Sequence, residues 1–140
     1  MKVQAYVTFS GRCEEALNFY KKSVGAEIIS MLRWRESPDA AMTMKPPPGY
    51  EEKIMNAVFR MGETELMADD GMGEKTAEFK GMTLAIEVAN DAEAKRVFTA
   101  LGEGGNVTMP LANTFWTSSF GMLTDKFGVP WMVNVKAAKT

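Results

Sequence analysis

Residues 3–25, VQAYVTFSGRCEEALNFYKKSVG, and residues 82–102, MTLAIEVANDAEAKRVFTALG, carry one pattern twice. In the first, Val3, Ala5, Val7 and Phe9 alternate with Gln4, Tyr6 and Thr8, the period-two signature of a half-buried strand. Cys13, Ala16, Leu17, Tyr20 and Val24 then recur at helical spacing up to Gly25, which suits the left-handed position past a helix end. In the second, MTLAIEV (82–88) alternates as a strand. Asn90, with Glu93 three residues on, offers an N-cap and a supporting carboxylate for a helix carrying Ala94, Val97, Phe98 and Leu101 and closed by Gly102. Glu15-Ala16 with Phe19-Tyr20 falls at the same helical phase as Glu93-Ala94 with Val97-Phe98.

Outward from the first copy, AEIISMLRWR (26–35) reads as a second strand and ESPDAAMTMKPPPGYEEK (36–53) as a long loop. Pro46, Pro47 and Pro48 permit neither a helix interior nor a central strand there. Strands over 54–61 and 64–70 follow, joined through Gly62-Glu63, and GMGEKTAEFK (71–80) is a polar, glycine-containing connector. The second copy is followed by strands near 105–112, 118–125 and 130–136. The order is strand, helix, three strands, repeated, with module one over about 1–72 and module two over about 80–137. The expected fold class is α+β, tandem βαβββ modules forming curved mixed sheets around a cleft. One helix covers one face of each sheet and leaves the other face for that cleft.

The composition narrows function. A chain of 140 residues suits a single domain at roughly 150 residues per domain. Its 46% hydrophobic and 24% charged residues mark a folded globular protein. A net charge of -2 offers no concentrated basic face for nucleic acid. There is no histidine, which removes imidazole acid-base chemistry, histidine-activated nucleophiles and histidine-ligated metals. The single cysteine, Cys13, cannot form an internal disulfide, and its spacing puts it on the buried helix stripe. With no signal-like start and no apolar stretch near the ~20 residues that span a bilayer, the expectation is a soluble cytoplasmic protein without membrane partners.

The doubled order, YVTFSGRCEEALNFYKKSVGAE near the start and FWTSSFGMLTDKFGVPWMVNV near the end together resemble the PhnB-like branch of the vicinal-oxygen-chelate superfamily. That superfamily also holds glyoxalase I, bleomycin- and fosfomycin-resistance proteins and extradiol dioxygenases. The most specific part is Phe115-Trp116, Gly121 and the run Thr124 to Trp131. Read physically, Asp125 to Gly128 form a turn; Trp131, Val133 and Val135 then share one strand face, and Met132 and Asn134 the other. Metal-using members of the superfamily place His and Glu on strands facing the cleft. The resemblance puts the corresponding positions at Gln4, Asn56 and Asn134, with Thr83, Ala85 or Glu87 on the first strand of the second module. Carboxamides thus stand where imidazoles or carboxylates belong, and a neutral amide is a poor ligand for a borderline transition metal. A hard cation held by Glu87, Gln4 and water is the alternative ligand set.

The candidate ligand-binding residues are Gln4, Asn56, Arg60, Glu87, Trp116 and Asn134, with no metal and no cofactor assigned. The polar strand positions fit either a solvent-facing sheet face or the few polar groups of an apolar pocket. Arg60, on the face of Asn56 and Val58, is the candidate anion contact. Phe115 and Trp116 read as core or rim packing before ligand stacking. Alternation across Arg33, Trp34 and Arg35 fits an ordinary edge strand, and an arginine-flanked aromatic that receives an anionic or planar ligand is the other reading. Gly102 to Gly105 follow a helix and precede a strand, the reverse of a dinucleotide fingerprint. The twelve methionines, Met42, Met44, Met72 and Met82 among them, read as adaptable core filling, with a plastic apolar pocket as the alternative. The expected function is small-molecule binding in a metal-free cleft of a homodimer. The alternatives are a divergent metal-dependent lyase, isomerase or resistance transferase, and a structural dimer whose cleft is filled by its own side chains.

Overall fold

Eight strands and two helices follow one another in the doubled order, in a computed structural model that describes residues 1–37 and 45–137. The chain divides into two compact units, Met1–Ala77 and Glu78–Thr140. In the first, β1 (Tyr6–Thr8), α1 (Cys13–Val24), β2 (Glu27–Arg33), β3 (Ile54–Met61) and β4 (Thr64–Asp69) build a four-stranded sheet in the order β1-β4-β3-β2. In the second, β5 (Leu84–Val88), α2 (Asp91–Leu101), β6 (Asn106–Ala112), β7 (Phe120–Thr124) and β8 (Pro130–Val135) give the order β5-β8-β7-β6. Each sheet is mixed, with its first strand parallel to its last (β1 with β4, β5 with β8) and the remaining pairs antiparallel. The fold is α+β, and the internal repeat is one of topology as well as of sequence order.

A parallel pair needs a crossover, and the helix supplies it, landing on one sheet face. In the first unit that face is filled by Val7, Phe9, Ala57, Phe59, Leu66 and Ala68 against Ala16, Leu17 and Tyr20 of α1, all nearly inaccessible. Tyr20 stacks on Phe59 with ring centroids 6.1 Å apart. In the second unit Val97, Phe98 and Leu101 of α2 are buried together with Leu123, Trp131, Val133 and Val135. Gly121 lies against α2 at a point where a Cβ would press into the Phe98 ring and the Leu111 backbone, so only glycine admits the helix this closely.

Local signals set the boundaries. Gly25 ends α1 at φ 72°, in the left-handed region, and its N–H donates to the Lys21 carbonyl. Asn90 Oδ1 accepts from the Glu93 N–H at 2.9 Å, and Glu93 reaches back to the Ala89 N–H at 3.3 Å. The Asp125–Gly128 turn is locked by Asp125, whose Oδ1 accepts from the Phe127 and Val129 N–H groups and whose Oδ2 accepts from the Trp131 indole at 2.8 Å.

Two expectations are corrected. The strand expected over 26–35 ends at Arg33, and Trp34–Glu36 form a short 3-10 turn with Trp34 5% exposed. Trp34 and Arg35 donate their backbone N–H groups to the Lys53 and Glu51 carbonyls, which turns the chain and puts the indole inside. Trp34 is therefore neither an edge-strand residue nor a ligand platform. The first strand is also shorter than the alternation of 3–9 implies, since ladder pairing with β4 covers only Tyr6–Thr8. Met42 and Met44 lie outside the described residues.

One buried carboxylate ties the first unit together. Asp70, 1% exposed, accepts from the Cys13 N–H at the start of α1 (2.7 Å) and from the Ile54 N–H at the start of β3 (2.6 Å). Its carbonyl also accepts from the Gly11 N–H after β1. Asp70→Ala leaves two buried amides without their acceptor and should cost on the order of 2–4 kcal/mol. Urea unfolding of the variant checks this. A midpoint equal to that of the parent protein would mean that the carboxylate carries no such load.

Candidate functional site

Because the helices take one face of each sheet, the opposite faces hold the half-exposed polar residues. On the first sheet this open face runs along Gln4, Tyr6 and Thr8, then Glu65, Met67 and Asp69 of β4, then Asn56, Val58 and Arg60 of β3. Tyr6, Met67, Val58 and Ser30 form one cross-strand row, and Glu65, Arg60 and Glu27 the next. Gln4 donates to the Glu65 carbonyl at 3.3 Å. Arg60 forms a 2.6 Å ion pair with Glu27 across β2, so its charge is already matched on the sheet.

Asn56 belongs to a polar cluster that sequence reasoning missed. The Tyr6 hydroxyl donates to Asp69 Oδ2 at 3.0 Å and also bonds the Asn56 side chain. Asp69 Oδ1 accepts in turn from the Gly71 N–H at 3.1 Å. Burial of the phenol, offset by the Asn56 bond and reinforced by the Asp69 charge, pushes Tyr6 up to about 12. The parity of Gln4 and Tyr6 was the available signal for this cluster, but the partner Asp69 is sixty-three positions away.

The second open face carries Ala85 and Glu87 of β5, Met132 and Asn134 of β8, and Phe120 and Met122 of β7. Glu87, Asn134 and Phe120 are successive register partners in one row. Trp116 stands over this row. Its indole N–H donates to Asn134 Oδ1 at 3.3 Å, and its ring meets Phe120 edge to face at 5.4 Å and Phe115 at 4.9 Å. The loop is built to hold it there. Thr114 Oγ1 accepts from the Trp116 and Thr117 N–H groups, and buried Thr117 donates to the Val135 carbonyl at 2.7 Å. Ser118 and Ser119 both donate to Asp91 Oδ1 at the start of α2, and these bonds hold the Asp91 carboxyl below its usual range. Phe115 is 97% exposed and so is no core residue; its bulk adds to the aromatic cluster at the rim.

Of the six candidates, Gln4, Asn56 and Arg60 thus share the first open face, and Glu87, Trp116 and Asn134 are brought together in the second unit. Phe120 was the member of that group not singled out in the sequence. An open groove of about 520 Å³ lies elsewhere, at the start of α1, lined by Gly11, Arg12, Glu14, Arg33, Lys53 and Asp70 among others. Its walls are tied to one another, Arg33 to Glu14 at 2.8 Å, Arg12 to Glu15 at 2.8 Å and Lys53 to the Gly11 carbonyl at 2.8 Å. Exposed ion pairs of this kind are worth little, and they already occupy the Arg12, Glu14, Glu15 and Arg33 side chains. For a metal, the second face offers one carboxylate beside a carboxamide, a donor set that does not fit a borderline transition ion. Among the described residues no three His, Cys, Asp or Glu side chains gather closely enough to hold a metal ion.

Two βαβββ units with identical strand order define a protein of the vicinal-oxygen-chelate class. Residues 1–134 match the model of the family described as 3-demethylubiquinone-9 3-methyltransferase, and the chain belongs to this family, the PhnB-like branch of that superfamily. It is 34% identical to Protein YjdN of Escherichia coli (strain K12), over 96% of this chain and 95% of that one. Among solved structures it is similar to protein PA1353 from Pseudomonas aeruginosa, at 40% identity and a TM-score of 0.84, covering 97% and 98% of the two chains. It is also similar to the putative 3-demethylubiquinone-9 3-methyltransferase, PhnB protein, from Bacillus cereus, at 29% identity and a TM-score of 0.79, covering 97% and 100%. In fold alone it matches the fosfomycin resistance protein FosX from Mesorhizobium loti, at 13% identity and a TM-score of 0.61, covering 98% and 92%.

The Tyr6 cluster yields a pH prediction. A raised phenol pKa means that the folded state holds the proton more tightly than the unfolded chain, whose tyrosine titrates near 10. The associated stabilisation is complete below pH 10 and is lost as the pH climbs toward about 12. Burial is the larger cause of the shift and survives the substitution, but Asp69→Asn removes the carboxylate charge that adds to it, so the Tyr6 midpoint should fall part of the way from about 12 in a tyrosine ¹³Cζ NMR titration assigned with Tyr6→Phe. An unmoved midpoint would remove Asp69 from the account.

Proposed function

We propose that this PhnB-like protein binds a small molecule on its open sheet faces by hydrogen bonding and apolar contact, without a metal and without catalysis. The observation that carries the reading is the Glu87–Asn134–Phe120 row with Trp116 bonded to Asn134. A few fixed polar groups amid Met132, Met122 and aromatic rings are the usual make-up of a small-molecule site. Gln4, Asn56 and Arg60 give the first unit a polar set of its own, most of it already bonded within the sheet. Assembly as a cytoplasmic homodimer, with a free small molecule as partner in place of nucleic acid or membrane, is part of the proposal. The net charge of -2 supports the exclusion of nucleic acid, and no helix of the described residues is long and apolar enough to cross a membrane.

The family description names a methyl transfer, and the residues do not fit the cofactor that it requires. A nucleotide-bearing methyl donor held at a strand-to-helix turn needs glycine-lined backbone and a free helix N-terminus. The turn from β1 to α1 holds one glycine, Gly11, and the Asp70 carboxylate already occupies the Cys13 N–H. The turn from β5 to α2 holds none, and Asn90 caps it. No methyl-transfer step is derived for this chain.

A thermal-shift screen of metabolite-sized compounds tests the reading. A ligand at a hundred times its Kd stabilises by about 2.7 kcal/mol, which is several degrees in Tm. The expected outcome is a saturable shift without turnover of the ligand, reduced in Asn134→Ala, with Mg²⁺ and Mn²⁺ producing none. A divalent-ion shift lost in Glu87→Gln would establish the metal-dependent alternative instead.

A further inference from the structure

We infer that the open face of the second unit recognises a small organic cation, a protonated or quaternary amine carried on an apolar body. The inference rests on the binding reading above and names its ligand class. Glu87 is exposed on β5, and among the described residues it has neither a hydrogen bond nor an ion pair. The other carboxylates facing an open sheet are matched: Glu27 pairs with Arg60, Glu65 with Lys2, and Asp69 accepts from Tyr6 and Gly71. The open-face positions of β5, β7 and β8 contain no Lys or Arg. Lys136, one step past β8 at the parity of Asn134, forms no ion pair with Glu87. Among the described residues, these strand positions therefore present one unmatched negative charge and no positive one, Lys136 lying just past the end of β8.

The surroundings of that charge are aromatic. Asn134 is the register partner of Glu87, about one strand spacing (~4.8 Å) away, and the Trp116 indole is bonded to its carboxamide. Phe120 lies one strand further on, so the backbones that carry Glu87 and Phe120 stand about two spacings (~9.5 Å) apart. A molecule of that reach places its ammonium on Glu87 and its apolar end against Trp116 and Phe120. Aromatic faces attract cations through the ring quadrupole, and a carboxylate adds a charge-assisted hydrogen bond. An anionic ligand would meet repulsion from Glu87 and find no donor cation among these positions.

Three probes of similar size separate the possibilities: 2-phenylethylamine, 2-phenylethanol and phenylacetate, titrated into the full chain and followed by ¹H–¹⁵N NMR. The Trp116 indole N–H reports directly and is assigned with Trp116→Phe. The expected result is saturable movement of that signal, with the amine binding about fivefold more tightly than the alcohol and phenylacetate weakest. Glu87→Gln should remove the preference for the amine, so that amine and alcohol bind the variant with equal affinity. Equal affinity of amine and alcohol, or a preference that survives Glu87→Gln, overturns the cation assignment and leaves the binding face standing. No saturable movement with any of the three overturns both.

Discussion

The parallel pairing of the first strand with the last in each unit is the constraint from which the rest follows. Tyr6 opposite Met67 and Glu87 opposite Asn134 are register partners only because the chain crosses over through a helix before returning. That crossover commits one sheet face to α1 or α2 and fills it with aromatic and branched residues. The polar residues of every strand then have one direction left. Asp70 enforces the arrangement in the first unit by joining the ends of β1 and β4 and the starts of α1 and β3 through one carboxylate and its own backbone.

The two open faces differ in what their polar groups do. In the first unit they mostly satisfy one another: Tyr6, Asp69 and Asn56 form a closed cluster, and Arg60 is matched by Glu27. In the second, the carboxamide of Asn134 is fixed by Trp116 while the carboxylate beside it has no partner among the described residues. Duplication of a fold therefore has not duplicated a site. The FWTSSFG segment makes the difference: its threonine and two serines anchor the loop to β8 and α2, so that two aromatic residues can stand at the rim at 97% and 46% exposure.

Much of the fold was legible because its determinants are local. The Asn90–Glu93 cap, the left-handed Gly25, the turn around Asp125 and the alternation of Trp131 to Val135 each depend on residues within a few positions. Their recurrence in order exposed the repeat. Features set by distant partners were not legible. Trp34 turns inward because residues 51–53 accept the hydrogen bonds that a strand edge would have left open. Tyr6 finds Asp69, and Arg60 finds Glu27, through register that no spacing along the chain reveals. Strand parity placed Asn56 and Arg60 on one face and Asn134 on another, but the neighbours of each side chain had to come from the sheet.

Cys13 has a use that its burial creates. It is the single thiol of the chain, wholly inaccessible at the start of α1, and burial pushes its ionisation far up beside Asp70. A thiolate is the reactive form, so the sulfur is inert while the first unit stays closed. Alkylating reagents reach it only through local opening of that unit, and the labelling rate becomes a built-in clock for how often α1 lifts from its sheet.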